Sequence, residues 1–166
     1  MTEQKKLEHL LWAAGGLLTG AWWVKNQQDK AKKSRAEKDD PEGVGEICTT
    51  IGPILDDWEP DDFEREDEFV EDLVEYLTDE TDFEIEMYPS TREGKPDILI
   101  DDRLAIEVKV NLSKVERDRL IGQAAGYSRE WVTWIVLIET PRSRVGALER
   151  LLADKGLQHI LVFDFA

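Results

Sequence analysis

The stretch best equipped for chemistry runs from Pro96 to Val110, Pro-Asp-Ile-Leu-Ile-Asp-Asp-Arg-Leu-Ala-Ile-Glu-Val-Lys-Val. Its second half alternates as a strand does. Leu104, Ile106, Val108 and Val110 fall on one side, and Ala105, Glu107 and Lys109 on the other. A side that carries Glu and Lys two residues apart has no packing reason to sit in a core, so it is expected to line a cleft. Asp97, one strand back across the polar Asp101-Asp102-Arg103 turn, reaches the same cleft. Together these residues offer two carboxylates and an ammonium, groups that bind charged ligands and exchange protons. The competing reading is a structural ion pair between Asp97 and Lys109 at a sheet edge.

The surrounding elements must hold these side chains in place. Residues 44 to 58 carry Val44, Ile47, Ile51, Leu55 and Trp58 near helical spacing, and Gly52-Pro53 is expected to break them into a short packing helix and a turn. A helix is expected from Asp62, with Phe63, Val70, Leu73 and Val74 on one face and Leu77 continuing it. Glu66 falls on that stripe, where a solvated acid has no reason to be. Phe83 to Tyr88 alternates as a strand, and Ser90 to Lys95, with Gly94, reads as a loop whose Arg92 and Lys95 are placed to meet a phosphate. Past Val110, Ser113-Lys-Val-Glu116 is a capping box, so a helix is expected from there to about Glu130, sharing Arg119, Gln123 and Tyr127 on one face. Trp131 to Glu139 is apolar enough for a strand buried on both sides, and a helix from Ser143 to Lys155, stopped by Gly156, precedes a strand from His159 to Phe165.

Pro96-Asp97 followed by Glu107-Val108-Lys109 resembles the signature of the PD-(D/E)XK nuclease superfamily. Gln123-x-x-x-Tyr127, one element later, resembles the motif that follows the Lys strand in its RecB-like and Holliday-junction-resolvase-like branch. The resemblance covers roughly residues 60 to 166. It implies an α/β restriction-endonuclease-like fold, an αβββαβ core with a C-terminal αβ extension and a mixed central sheet flanked by helices. It also implies metal-dependent cleavage of phosphodiester bonds. Asp97 and Glu107 would then supply oxygen ligands to Mg²⁺ or Mn²⁺, with the Val108 carbonyl as a third and Glu66 as the helix ligand; Glu64, Glu68 and Glu71 are its rivals. Lys109 would orient or help deprotonate the attacking water, and Gln123 would orient Lys109 or that water. Tyr127, Arg119, Lys95 and Arg92 are the residues expected at the nucleic acid.

Composition sets limits on this. A chain of 166 residues suits one α/β domain with an appendage. The single Cys48 cannot form an internal disulfide, and His9 and His159 are too few for a His/Cys zinc site. The net charge of −16 opposes phosphate binding. Residues 1 to 40 hold 8 basic and 6 acidic residues, leaving 13 basic against 31 acidic in residues 41 to 166, so the acidity belongs to the folded part. It fits either a halophile-type surface whose self-repulsion salt screens, or a domain that no longer binds nucleic acid.

Leu10 to Val24 is apolar or small throughout and flanked by Lys5-Lys6 and the charged 25–43 linker. As a helix it measures about 22 Å, short of the roughly 30 Å hydrocarbon core. Trp12 at one end, Trp22-Trp23 at the other and Gly16-x-x-x-Gly20 favour a membrane anchor, and the richer positive flank places the following domain, 44–166, in the cytoplasm. A cleaved signal peptide and a soluble packing helix stay open as alternatives. The expectation is therefore a Mg²⁺- or Mn²⁺-dependent DNA endonuclease tethered to a membrane through residues 10–24, with a homodimer allowed. The alternative is a catalytically silent binding or scaffolding module on the same fold.

Overall fold

The structure is a computed structural model that describes residues 42–165. The helix expected over 10–24 and nearly all of the 25–43 linker lie outside these residues. Among the described residues no helix is long and apolar enough to cross a membrane. The chain divides into two compact units, up to Pro53 and from Ile54 onward. The described part of the first unit is the beginning of α1 (Glu42–Asp57).

That helix corrects the expected break at Gly52-Pro53, because Pro53 lies inside it. Ile47, Ile51 and Leu55 recur at i, i+4 and i+8 and are all buried. An uninterrupted apolar stripe keeps the segment helical despite the amide hydrogen that proline lacks.

In the second unit the order is α2 (Glu66–Glu80), β1 (Ile85–Met87), β2 (Ile98–Ile100), β3 (Leu104–Val110), α3 (Lys114–Tyr127), β4 (Val132–Ile138), α4 (Arg142–Asp154) and β5 (Leu161–Phe165). The sequence of element types is the one expected, and the fold is α/β. The five strands form one mixed sheet in chain order, antiparallel from β1 to β3 and parallel from β3 to β5. Parallel pairing needs crossovers, which α3 and α4 supply.

Helix α2 starts four residues later than Asp62. Glu66, Asp67 and Glu68 fill its first turn, where the helix dipole favours acids, and the Glu68 carboxylate accepts the Arg65 amide at 3.0 Å. Phe63 therefore packs from the preceding loop, half-buried, with its ring edge-on to Phe69 at 5.2 Å. Trp58 similarly meets Phe165 of β5 at 5.0 Å and donates its indole N–H to Asp72.

The β2–β3 hairpin pairs Ile98 with Ile106 and Ile100 with Leu104. Its turn places Asp101 and Asp102 at φ of 49° and 51°, a conformation Asp tolerates better than most residues. Both turn carboxylates are used, Asp101 on the Glu84 amide and Asp102 on the Trp131 indole. On one side of the sheet Ile135 and Leu137 of β4 pack with Leu120, Ile121 and Ala124 of α3 and with Val145, Leu148 and Leu152 of α4. The β3–β4 register pairs Glu107 with Ile135 and Lys109 with Leu137, so the two charged side chains emerge on this same side, just past the apolar core.

Candidate active site

Groups from α2, from the segment ahead of β2 and from β3 converge on one ammonium. Lys109, at the end of β3, lies 2.8 Å from Glu66 Oε1 at the start of α2, 3.4 Å from Asp97 Oδ2 ahead of β2, and 3.2 Å from Glu107 Oε1 on its own strand. Its Nζ also donates to the Val108 carbonyl at 2.5 Å. These contacts are all four of the groups that the sequence motif points to as oxygen ligands. Of the four acids considered on α2 and its approach, Glu66 is the one that reaches Lys109, while Glu68 is spent on the helix start.

The alternation of β3 explains the placement. Ala105, Glu107 and Lys109 share a side, and Ala105 is small enough for Tyr127 and Trp131 to pack against it together with Leu99. That part of the side is core. The cleft opens only at Glu107, whose side chain is 2 % exposed, and at Lys109, 12 % exposed. Asp97 is fixed by the Val108 main-chain amide, which donates to its Oδ2 at 2.8 Å. Glu107 Oε2, by contrast, is buried with no hydrogen-bond partner among the described residues, as is Gln123 Oε1. An unpartnered buried carboxylate oxygen is costly and marks a position where a ligand would be stabilising.

Burial dominates the electrostatics. It raises the Asp97 carboxyl above its ordinary range, partly offset by Lys109 and the Val108 amide. Burial, with the neighbouring Asp97 charge, pushes Glu107 up to about 7. Burial alone would depress the Lys109 ammonium, but Asp97, Glu107 and Glu66 reverse this and hold it above its usual value. The cluster is thus a protonated lysine surrounded by three acids, two of which ionise reluctantly.

A cavity of about 420 Å³ opens over this cluster. Helix α3 walls it with Arg119, Gly122, Gln123, Gly126 and Tyr127, and the loop before Asp97 walls it with Tyr88, Glu93, Gly94 and Lys95. The capping box that starts α3 is present, Ser113 Oγ accepting the Glu116 amide and the Glu116 carboxylate accepting the Ser113 amide. It sets the phase that turns Arg119, Gln123 and Tyr127 to the cleft. Among the described residues no hydrogen bond joins Gln123 to Lys109. The Gln123 side chain instead meets the Tyr127 hydroxyl, which also faces the Lys95 main-chain amide.

Lys95 lies over the Tyr88 ring, 5.3 Å from its centre. Neither Lys95 nor Arg119 stands in an ion pair among the described residues, although acids outnumber bases by more than two to one in this part of the chain. Arg92 points elsewhere: it is 95 % exposed beside Glu93 and does not line the cavity.

Tyr88, Glu93 and Gly94 are wall residues that the motifs did not single out. Gly94 had a readable signal as a loop glycine. Its φ is 136°, and a Cβ there would come within 2.9 Å of the Tyr127 ring, so the loop can close on α3 only without a side chain at 94. Glu93 offered none, since exposed loop acids are common in this chain.

Among the described residues no three His, Cys, Asp or Glu side chains stand together as a ready-made metal cage. Glu66, Asp97 and Glu107 each face the Lys109 ammonium instead. Compared with family models, with curated protein sequences and with solved structures, the chain finds no match.

Proposed function

We propose that this chain is a metal-dependent endonuclease that hydrolyses DNA phosphodiester bonds, on a restriction-endonuclease-like fold held at the cytoplasmic face of a membrane by residues 10–24. The observation that carries the reading is the convergence of Glu66, Asp97, Glu107, the Val108 carbonyl and Lys109 at the base of a cleft walled by Gln123 and Tyr127. The unpaired Lys95 and Arg119 at that cleft support an anionic substrate.

The donor set suits Mg²⁺ or Mn²⁺, which prefer oxygen ligands, and Glu107 Oε2 is a buried acceptor with nothing to accept from. Asp97, Glu107 and the Val108 carbonyl would hold the ion, with Glu66 reaching it directly or through water. When bound, the ion would reverse the negative charge of the site and polarise the scissile phosphate.

The chain's own groups do the rest. The Val108 amide fixes the orientation of Asp97. Lys109 Nζ, held protonated in the metal-free cluster by the acids around it, would act as a cation toward phosphate charge and orient the attacking water or help deprotonate it. Glu107, raised to about 7 by burial and by the Asp97 charge in the metal-free site, must give up its proton to hold the ion. Gln123 positions Tyr127, and Tyr127 with Lys95 and Arg119 steers the strand.

A second reading rests on one observation. Lys109 stands within ion-pairing distance of Glu66, Asp97 and Glu107, which suits a silent binding or scaffolding module stabilised by a partly buried ion cluster. The purified chain, mixed with supercoiled, linear, single-stranded and branched DNA in Mg²⁺, Mn²⁺ or EDTA from low to molar salt, separates the two. Cleavage that needs the ion and stops in EDTA is expected. No cleavage of any form under any condition would favour the scaffold.

A further inference from the structure

Three glycines border the cleft, and two have internal reasons to be glycine or small. Gly94 could not carry a side chain beneath Tyr127, and a Cβ at Gly126 would make ordinary contact with the Glu93 carbonyl at 3.7 Å, so the seam between α3 and the loop admits a small residue there. Gly122 has neither reason. It lies in the interior of α3, where glycine weakens a helix, and it is exposed, with no other atom within 4 Å of a Cβ built on it. Its φ is not in the left-handed region, so backbone geometry does not require glycine.

What surrounds Gly122 is the cleft itself. Arg119 lies one turn before it, Gln123 beside it and Gly126 one turn after, all along the same wall. Across the cleft, the 98 % buried Glu107 side chain presents Oε2 without a partner, and Gln123 Oε1 is likewise unsatisfied. These two buried acceptors, unsatisfied among the described residues, call for a cation or a hydrogen-bond donor in the cleft that Gly122 lines.

We infer that Gly122 is a positioning residue: it keeps the α3 wall bare so that the sugar–phosphate backbone of a bound strand lies against the helix main chain, with Arg119 on its phosphates and the scissile bond over Asp97 and Glu107. This rests on the proposed nuclease reading. A Cβ at 122 meets no described atom outside its own helix, so a side chain there is tolerated by the fold, yet it fills the space the strand needs. Alanine intrudes by one methyl, leucine by a full side chain.

The test compares full-length wild type with Gly122→Ala, Gly122→Leu and the control Gly146→Ala on α4, remote from the cleft. The readouts are thermal unfolding, calorimetric Mg²⁺ titration, anisotropy of a fluorescent oligonucleotide in EDTA, and cleavage kinetics. Both Gly122 variants are expected to unfold at or above the wild-type temperature and to bind Mg²⁺ unchanged. Gly122→Leu should weaken oligonucleotide binding at least tenfold and raise KM more than it lowers kcat, Gly122→Ala should do so less, and Gly146→Ala should do neither. Wild type that binds and cuts while Gly122→Leu does so equally well overturns this inference alone. Wild type that neither binds nor cuts overturns the nuclease reading and this inference with it.

Discussion

At the scale of single residues the account turns on Glu107 and Lys109. A carboxyl raised from 4.5 to about 7 in the folded state stabilises that state while protonated. Its contribution is fully present below pH 4.5 and is lost as pH rises through about 7, a change on the order of 3 kcal/mol. Glu107→Gln removes this dependence, so the metal-free variant should gain on wild type between those limits and run parallel to it above, as chemical denaturation across pH would show. The same proton competes with a metal ion, so Mg²⁺ affinity should climb by up to about tenfold per pH unit below 7 and flatten above it. Lys109→Met leaves Asp97 and Glu107 buried without their cation, and in EDTA it should cost about 3–5 kcal/mol. Added Mg²⁺ or Mn²⁺ should recover most of that in a melting experiment; a loss the ion cannot repair would favour the structural cluster. The acids and the lysine were legible in the sequence because period-2 alternation put Glu107 and Lys109 where an apolar strand has no use for charge. The wall residues Tyr88 and Glu93 were not, because loop geometry brings them in and no period records it.

Among the elements, α3 and the loop before Asp97 form the cleft, and each has a point that can be broken. Ser113→Ala removes the acceptor that caps α3 at 3.3 Å from the Glu116 amide and should cost about 1 kcal/mol in a denaturant titration, without abolishing metal binding. Gly94→Ala does more: a methyl at φ 136° runs into the Tyr127 ring, so the loop must move away from α3. It should destabilise by roughly 1–3 kcal/mol and, unlike Ser113→Ala, weaken oligonucleotide binding in proportion to the displaced Lys95 and Tyr127. Strands and helices with clear apolar periods were readable, and so was α3, whose capping box is a local signal. The continuity of α1 was not, since Gly52-Pro53 is a strong local break that only the burial of Ile51 and Leu55 overrides. The start of α2 was misplaced for a related reason: Phe63 has the spacing of the helix stripe but reaches Phe69 from outside the helix.

For the whole molecule, charge is the governing quantity. With 31 acidic and 13 basic residues in 41–166, self-repulsion works against the compact state, and salt that screens it should raise the unfolding temperature from low to molar concentration. Counterion release weakens DNA binding over the same range, so activity should peak at intermediate or high salt. Stability that is flat or falling would remove the halophile explanation of the acidity. The proposed anchor over residues 10–24 belongs here as well: full-length protein should sediment with membranes and resist carbonate extraction, and its recovery in the soluble fraction would contradict that proposal.

In the proposed reaction Asp97 and Glu107 hold a metal while Lys109 acts on the water and the phosphate. Calorimetric titration of Mg²⁺ or Mn²⁺ into wild type, Asp97→Asn, Glu107→Gln and Lys109→Met, run beside DNA cleavage, tests it most directly. The account predicts metal binding and cleavage by wild type, loss of both in the two carboxylate variants, and retained metal and DNA binding in Lys109→Met with turnover down at least ~10²-fold. Folded wild-type protein that binds neither ion and leaves every DNA form intact would contradict it.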